Sequence, residues 1–229
     1  MKFQGVGMTN MSGKLGGMVA SRNRFGSYMR ELVIPVNPAS PFQQDVRSSL
    51  ASLVARWTEV LTPAQRASWD SYALAVPKSE GGTQITLTGH NWFLAVNQLR
   101  LQAGDAIIDD APTIFNQHPG LTSFAVARNA ATQNWNVSYT PAELDSDPPV
   151  NAETLIVFAS RGFNPSRNFF KGPYRFMGIV SAIVGGPPSP TSLASPFPIS
   201  SGLKYSFYGR VLSADGRISS RFFSTSTVA

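Results

Sequence analysis

The sequence predicts a mixed α+β protein, mainly β, in three consecutive parts: a basic β-hairpin arm (1–36), a three-helix segment (37–111) and an antiparallel β-sandwich (112–229). Three observations carry this reading. Glycine punctuates the first part, apolar residues recur every three or four positions in the second, and the period falls to two in the third, with turn residues about every ten positions.

The arm holds six glycines, which reach positive φ at little steric cost. Met18 to Ser21 and Ser27 to Val36 are the strand candidates, and Arg22-Asn23-Arg24-Phe25-Gly26 is the hairpin tip, with Asn23 or Gly26 suited to the left-handed position. Such a hairpin is marginal alone and is expected to pack on a neighbouring subunit or on the helices. Lys2, Lys14, Arg22, Arg24 and Arg30 stand against Glu31, a net +4, whereas 37–111 carries −2 and 112–229 spreads +4 over its length. Lys14, Arg22, Arg24, Phe25, Tyr28 and Arg30 are therefore the candidate contacts for assembly or for a polyanion. Arginines interleaved with aromatics suit a hairpin that meets a neighbour's acids, and they also suit a nucleic-acid strand.

Pro38 and Pro41 hold 37–41 out of helix. Val46, Leu50, Leu53, Val54, Trp57 and Leu61 then mark one amphipathic face from Phe42 to Leu61. Thr62-Pro63-Ala64-Gln65 is a capping-box start for a second helix that runs to about Val76. Gln84 to Leu87 reads as a short strand. Thr88 caps a third helix that Gly104 stops after Ala103. One tryptophan per helix, Trp57, Trp69 and Trp92, predicts a shared small core.

Strand candidates in the third part are Thr122–Arg128, Gln133–Thr140, Thr154–Ser160, Arg175–Val184, Leu203–Ser213 and Ile218–Ser224. Asp215-Gly216 is a hairpin signal between the last two. Pro141–Val150 and Gly185–Pro198 read as long proline-rich loops, the kind of segment on which a rigid sandwich displays a binding surface. The aromatic and basic stretch between them, Phe163 to Phe176, makes Phe163, Phe169, Phe170 and Tyr174 candidate surface-binding residues.

Composition narrows the function classes. Cysteine is absent, which excludes disulfides, thiolate metal sites and cysteine nucleophiles. Only 14% of residues are charged, so the surface is built largely of uncharged polar groups. The longest uncharged stretch, Met177–Leu203, is broken by Gly185, Gly186, Pro187, Pro188 and Pro190 and cannot cross a bilayer as a helix. Met1–Ala20 lacks the continuous apolar block of a secretory signal.

Catalytic chemistry finds little to use. His90 and His118 are the two histidines, and no Gly-x-Ser-x-Gly elbow accompanies them. Asp105, Asp109 and Asp110, and the pair Asp145 and Asp147, do not match a helix-loop-helix calcium spacing. Gly13-Lys14-Leu15-Gly16-Gly17 lacks the order of a phosphate loop and reads as flexible arm. The expectation is a protein with no catalytic residue, no metal and no cofactor.

Two resemblances add to this. Gly13-Lys14-Leu15-Gly16-Gly17, Asn23-Arg24-Phe25-Gly26-Ser27-Tyr28-Met29-Arg30, Asn37-Pro38 with Gln44 and Arg47, Trp57, Leu61-Thr62-Pro63-Ala64-Gln65-Arg66, Trp69 and Leu87-Thr88-Gly89-His90-Asn91-Trp92-Phe93 together resemble a family of uncharacterised tailed-bacteriophage and prophage proteins. The second half is similar to a fibronectin type III or immunoglobulin-like sandwich, with Trp135 in an early strand and Tyr205–Val211 in the penultimate one; a viral jelly roll is the alternative.

The first resemblance implies a virion structural protein, a capsid or tail component. It would assemble with itself and with other virion proteins through arm and helices, and project or bridge with the sandwich. The alternatives are a host- or glycan-binding adhesion module, which would place a surface glycan or protein among the partners, and a coat protein touching nucleic acid through the arm. No membrane partner is expected.

Overall fold

The computed structural model describes residues 12–23, 26–80, 83–129, 132–144, 153–183 and 186–228. The chain forms two compact units, Met1–Gln44 and Asp45–Ala229.

In the first unit β1 (Gly13–Leu15), β2 (Met18–Asn23) and β3 (Gly26–Glu31) make an antiparallel sheet in the order β1-β2-β3. The segment read as flexible at Gly13–Gly17 is in fact a strand and a tight turn. Leu15 faces Met18, and Gly16 takes φ +56°, which a side chain would strain. The strand expected to reach Val36 ends at Glu31, because Met18, its partner, is where β2 begins. One further bond, Leu32 N–H to the Gly17 carbonyl at 2.8 Å, closes the ladder. Among the unit's described residues only Ala20 is buried, while Val33, Ile34 and Val36 are 66%, 78% and 90% exposed.

The second unit opens within α1 (Pro41–Ala55), which continues as a wider π turn over Arg56–Val60. That turn shifts the phase only beyond Ala55, and the expected amphipathic face is already narrower before it. Leu53 and Leu61 are buried, but Leu50 and Val54 are exposed. α2 (Pro63–Ala75) starts with the anticipated box: Gln65 N–H donates to Thr62 Oγ1 and Thr62 N–H to Gln65 Oε1. β4 (Lys78–Glu80) and β5 (Thr83–Ile85) form a short ribbon ahead of α3 (Gly89–Ala103). Thr88 caps α3, and left-handed Gly104 ends it. A Cβ on Gly89 would lie 2.6 Å from the Asp70 backbone nitrogen, so this helix start needs glycine to reach α2.

The three tryptophans do share a core. Trp69 and Trp92 are fully buried and Trp57 partly, with Tyr72 and Phe93 between them at ring distances of 5.4–6.1 Å. The Tyr72 hydroxyl is buried without a hydrogen-bond partner among the described residues, and burial pushes its pKa up to about 12. A tyrosine that binds its proton more tightly when folded contributes stability below its ordinary value near 10 and loses it as pH rises towards 12. The loss should reach about 2 kcal/mol by pH 12. Urea midpoints at pH 8 and pH 11 should therefore converge in Tyr72→Phe relative to the parent chain, and an unchanged pH slope would refute the assignment to Tyr72.

Seven strands follow: β6 (Phe124–Arg128), β7 (Asn134–Tyr139), β8 (Glu153–Ser160), β9 (Tyr174–Val180), β10 (Thr191–Ala194), β11 (Lys204–Ser213) and β12 (Phe222–Thr227). They form two antiparallel sheets, β10-β7-β6 and β12-β11-β8-β9. Three strands on four, with the fifth joining the first two, is a fibronectin III/immunoglobulin-like sandwich and not the eight-stranded arrangement of a jelly roll. β10 lies inside the stretch expected to be loop, entered through Pro187, Pro188 and Pro190. Pairing only with β7, it is an edge strand, the place where neighbouring prolines are tolerated.

The central strands of the four-stranded sheet, β8 and β11, are buried on both faces. Leu155, Val157 and Ala159 of β8 join Trp135, Val137, Tyr205 and Phe207 inside the sandwich. Ile156 and Phe158 alternate with them and join the cluster of Trp69, Trp92, Phe93 and Leu212 under the helices. Helices, four-stranded sheet and three-stranded sheet are thus three layers of one body, consistent with the near-continuous apolar run Leu155–Ala159.

Candidate functional site

The sandwich brings the predicted aromatic residues together. The connection from β8 to β9 folds back so that Phe163 pairs its backbone with Lys204, N–H to carbonyl in both directions at 2.9 Å. A Cβ on Gly162 would lie 2.7–2.8 Å from Leu203 and Tyr205 side chains, so glycine there permits this approach. Phe163 stacks on Phe170 with centroids 4.8 Å apart and planes 9° apart, and Tyr174 stands edge-on to Phe170 at 5.2 Å. The Arg167 guanidinium lies over both phenyl rings, 5.9 Å and 5.4 Å from their centroids, and its Nε donates to the Phe169 carbonyl at 2.7 Å. Tyr174 Oη and Ser206 Oγ share a hydrogen bond of 3.0 Å.

These residues, with Phe169, Lys204, Phe223 and Thr225, line a cleft of about 270 Å³. Phe169 and Phe223 are strongly exposed at 70% and 57%. The sequence signalled the four aromatics as a group. It could not signal Lys204, Ser206, Phe223 and Thr225, which come from β11 and β12, some thirty to sixty positions away.

The arm candidates divide differently. Lys14, Arg22 and Arg30 are exposed on β1, β2 and β3, and Tyr28 is half-buried opposite Ser21. Arg24 and Phe25 lie outside the described residues.

Two groups read from sequence as ordinary prove to be structural anchors. His118 is buried in its turn, with Nε2 2.7 Å from Glu153 Oε1 and Nδ1 accepting from Gly120 N–H at 3.0 Å. Accepting at Nδ1 leaves the Nε2 proton for Glu153, so the linker is pinned to β8. Asp109 accepts two 2.7 Å hydrogen bonds from Arg56, which raise the pKa of the guanidinium further. Its carbonyl accepts from Trp69 Nε1 at 2.8 Å. Asp145 and Asp147 lie outside the described residues. Among the described residues no three His, Asp or Glu side chains are grouped to hold a metal ion.

No protein-family model and no curated protein matches the chain. Among solved structures it is similar to a Fn3-like protein from Clostridium thermocellum at 14% identity, over 52% of this chain and 96% of that one, with a TM-score of 0.28. The sandwich assignment rests on the strand order and not on that likeness.

Proposed function

We propose that the chain is a non-enzymatic structural subunit of a particle, on its sequence resemblance a bacteriophage virion, whose arm joins one copy to the next. The observation that carries this reading is how little the described part of the arm buries. Among its described residues a three-stranded sheet has one buried side chain, Ala20, and is followed by exposed apolar side chains at Val33, Ile34 and Val36, a surface that calls for a partner to cover it. Charge suggests the partner: the arm is net +4, and the helical segment, with Asp45, Glu59, Asp70 and Asp110 exposed, is net −2. A second copy therefore offers a surface of the right sign, and exposed Leu50 and Val54 on α1 add apolar contact.

Light scattering at low and high salt tests this on the full chain and on Val33→Asp/Ile34→Asp/Val36→Asp. The full chain should form a discrete assembly of many copies, and the triple variant should have the mass of one chain. A monomeric parent in both salts would rule out assembly through the arm.

A further inference from the structure

We infer that the cleft between the β8–β9 connection and strands β11 and β12 binds a carboxylated sugar ring of an acidic glycan. This goes beyond the assembly reading and does not depend on it, since the cleft lies wholly within the second unit.

The sign of the ligand follows from charge. No Asp or Glu occurs between Glu153 and Asp215, whereas Arg161, Arg167, Lys171, Arg175, Lys204 and Arg210 do. Two of these cations, Arg167 and Lys204, line the cleft, and no acidic side chain does. Arg167 is placed for an anion: with Nε bound to the Phe169 carbonyl and the guanidinium carbon over Phe163 and Phe170, the edge formed by its two Nη groups, opposite Nε, keeps the fork geometry that takes a carboxylate in bidentate fashion.

The shape of the ligand follows from size and lining. About 270 Å³ falls below the roughly 300 Å³ at which drug-sized pockets begin, so one ring-sized group fits and a large planar cofactor does not. Exposed Phe169 and Phe223 at the rim offer apolar faces for the C–H side of a pyranose. The hydroxyls of Tyr174, Ser206 and Thr225, with the Asn168 amide, offer donors and acceptors for ring hydroxyls. A nucleic-acid strand fits less well, because it needs a charged track with successive stacking platforms rather than one ring-sized slot.

The test is calorimetric titration of the full chain with oligosaccharides of glucuronate, galacturonate or sialic acid, each beside its methyl ester, and with oligo-dT. At least one free acid should bind and its ester should bind about tenfold more weakly or worse, the equivalent of one lost charge-assisted pair. Arg167→Gln should weaken the acid by a similar factor and the ester by clearly less, so that the preference for the acid shrinks. Phe223→Ala should weaken both forms. Each variant's thermal midpoint, held near the parent's, separates binding from folding. Three results would overturn the inference: no free acid binds, Arg167→Gln binds the acid like the parent, or oligo-dT binds more tightly than every sugar and loses that affinity in Arg167→Gln. A monomeric parent chain that still binds the acid would sink the assembly reading alone.

Discussion

Trp135→Ala should cost about 3–5 kcal/mol, roughly a fifth or more of the stability of an ordinary domain. Trp135 is fully buried in β7, with its ring 5.0 Å from Tyr205 and 4.7 Å from Phe207 across the sandwich. Its Nε1 donates to Ser195 Oγ at 3.1 Å, and Ser195 N–H donates to the Gln133 carbonyl at 3.2 Å, so the indole also fastens the end of β10. Truncation opens a cavity between the sheets and removes the donor that Ser195 uses. Trp135→Phe keeps most of the volume and should cost less than half as much.

The same variant tests whether the three layers unfold together. Of the four tryptophans only Trp135 lies inside the sandwich; Trp57, Trp69 and Trp92 belong to the helical layer. In Trp135→Ala fluorescence therefore reports the helices, while far-UV circular dichroism is weighted towards the sheets. Because β8 and β11 supply residues to both cores, the two signals should share one urea midpoint, shifted down equally from the parent. Separate midpoints would mean that the helices keep their fold after the sandwich is lost, which the shared sheet argues against.

The helices were legible because their signals are local. Thr62 with Gln65, Thr88 and Gly104 lie within a turn of the ends they set, and each sits where the sequence placed it. The sandwich strands were legible within a few residues for the same reason, except β10, whose prolines mask a short edge strand; the three-residue strands β1 and β4 are too short to show a period and were not legible as strands. The layering was harder to read. Leu155–Ala159 is a continuous apolar run, and a run without alternation does not say what covers its second face. The cleft was half legible, since Phe163, Phe169, Phe170 and Tyr174 are near in sequence, whereas Lys204, Ser206 and Phe223 reach them only through the pairing of β11 with its neighbours. His118 was read as a turn residue because Glu153, its partner, is 35 positions away.

Asn97→Ala should have an effect of similar size through a different mechanism. Asn97 is fully buried on α3; its Nδ2 donates to the Ile108 carbonyl at 3.0 Å and its Oδ1 accepts from the Ile108 N–H at 2.9 Å. Only one orientation of the amide satisfies both. Alanine leaves the N–H and carbonyl of part-buried Ile108 without these partners, at up to about 1–3 kcal/mol each. Asn97→Asp separates this from simple loss of volume. At neutral pH it still accepts from Ile108 N–H but sets a buried carboxylate against the Ile108 carbonyl, so it should be no more stable than the alanine variant. Burial raises the folded-state pKa of such a carboxyl above its unfolded value near 3.9, so stability should return as the proton goes on. The protonated acid donates to the Ile108 carbonyl as the amide does. Urea midpoints at pH 7 and pH 4, each taken relative to the parent, should therefore show Asn97→Asp recovering at low pH and Asn97→Ala not. Equal deficits for both variants at both pH values would mean that the linker is held by Arg56 and Trp69 on Asp109, with Asn97 contributing only its bulk.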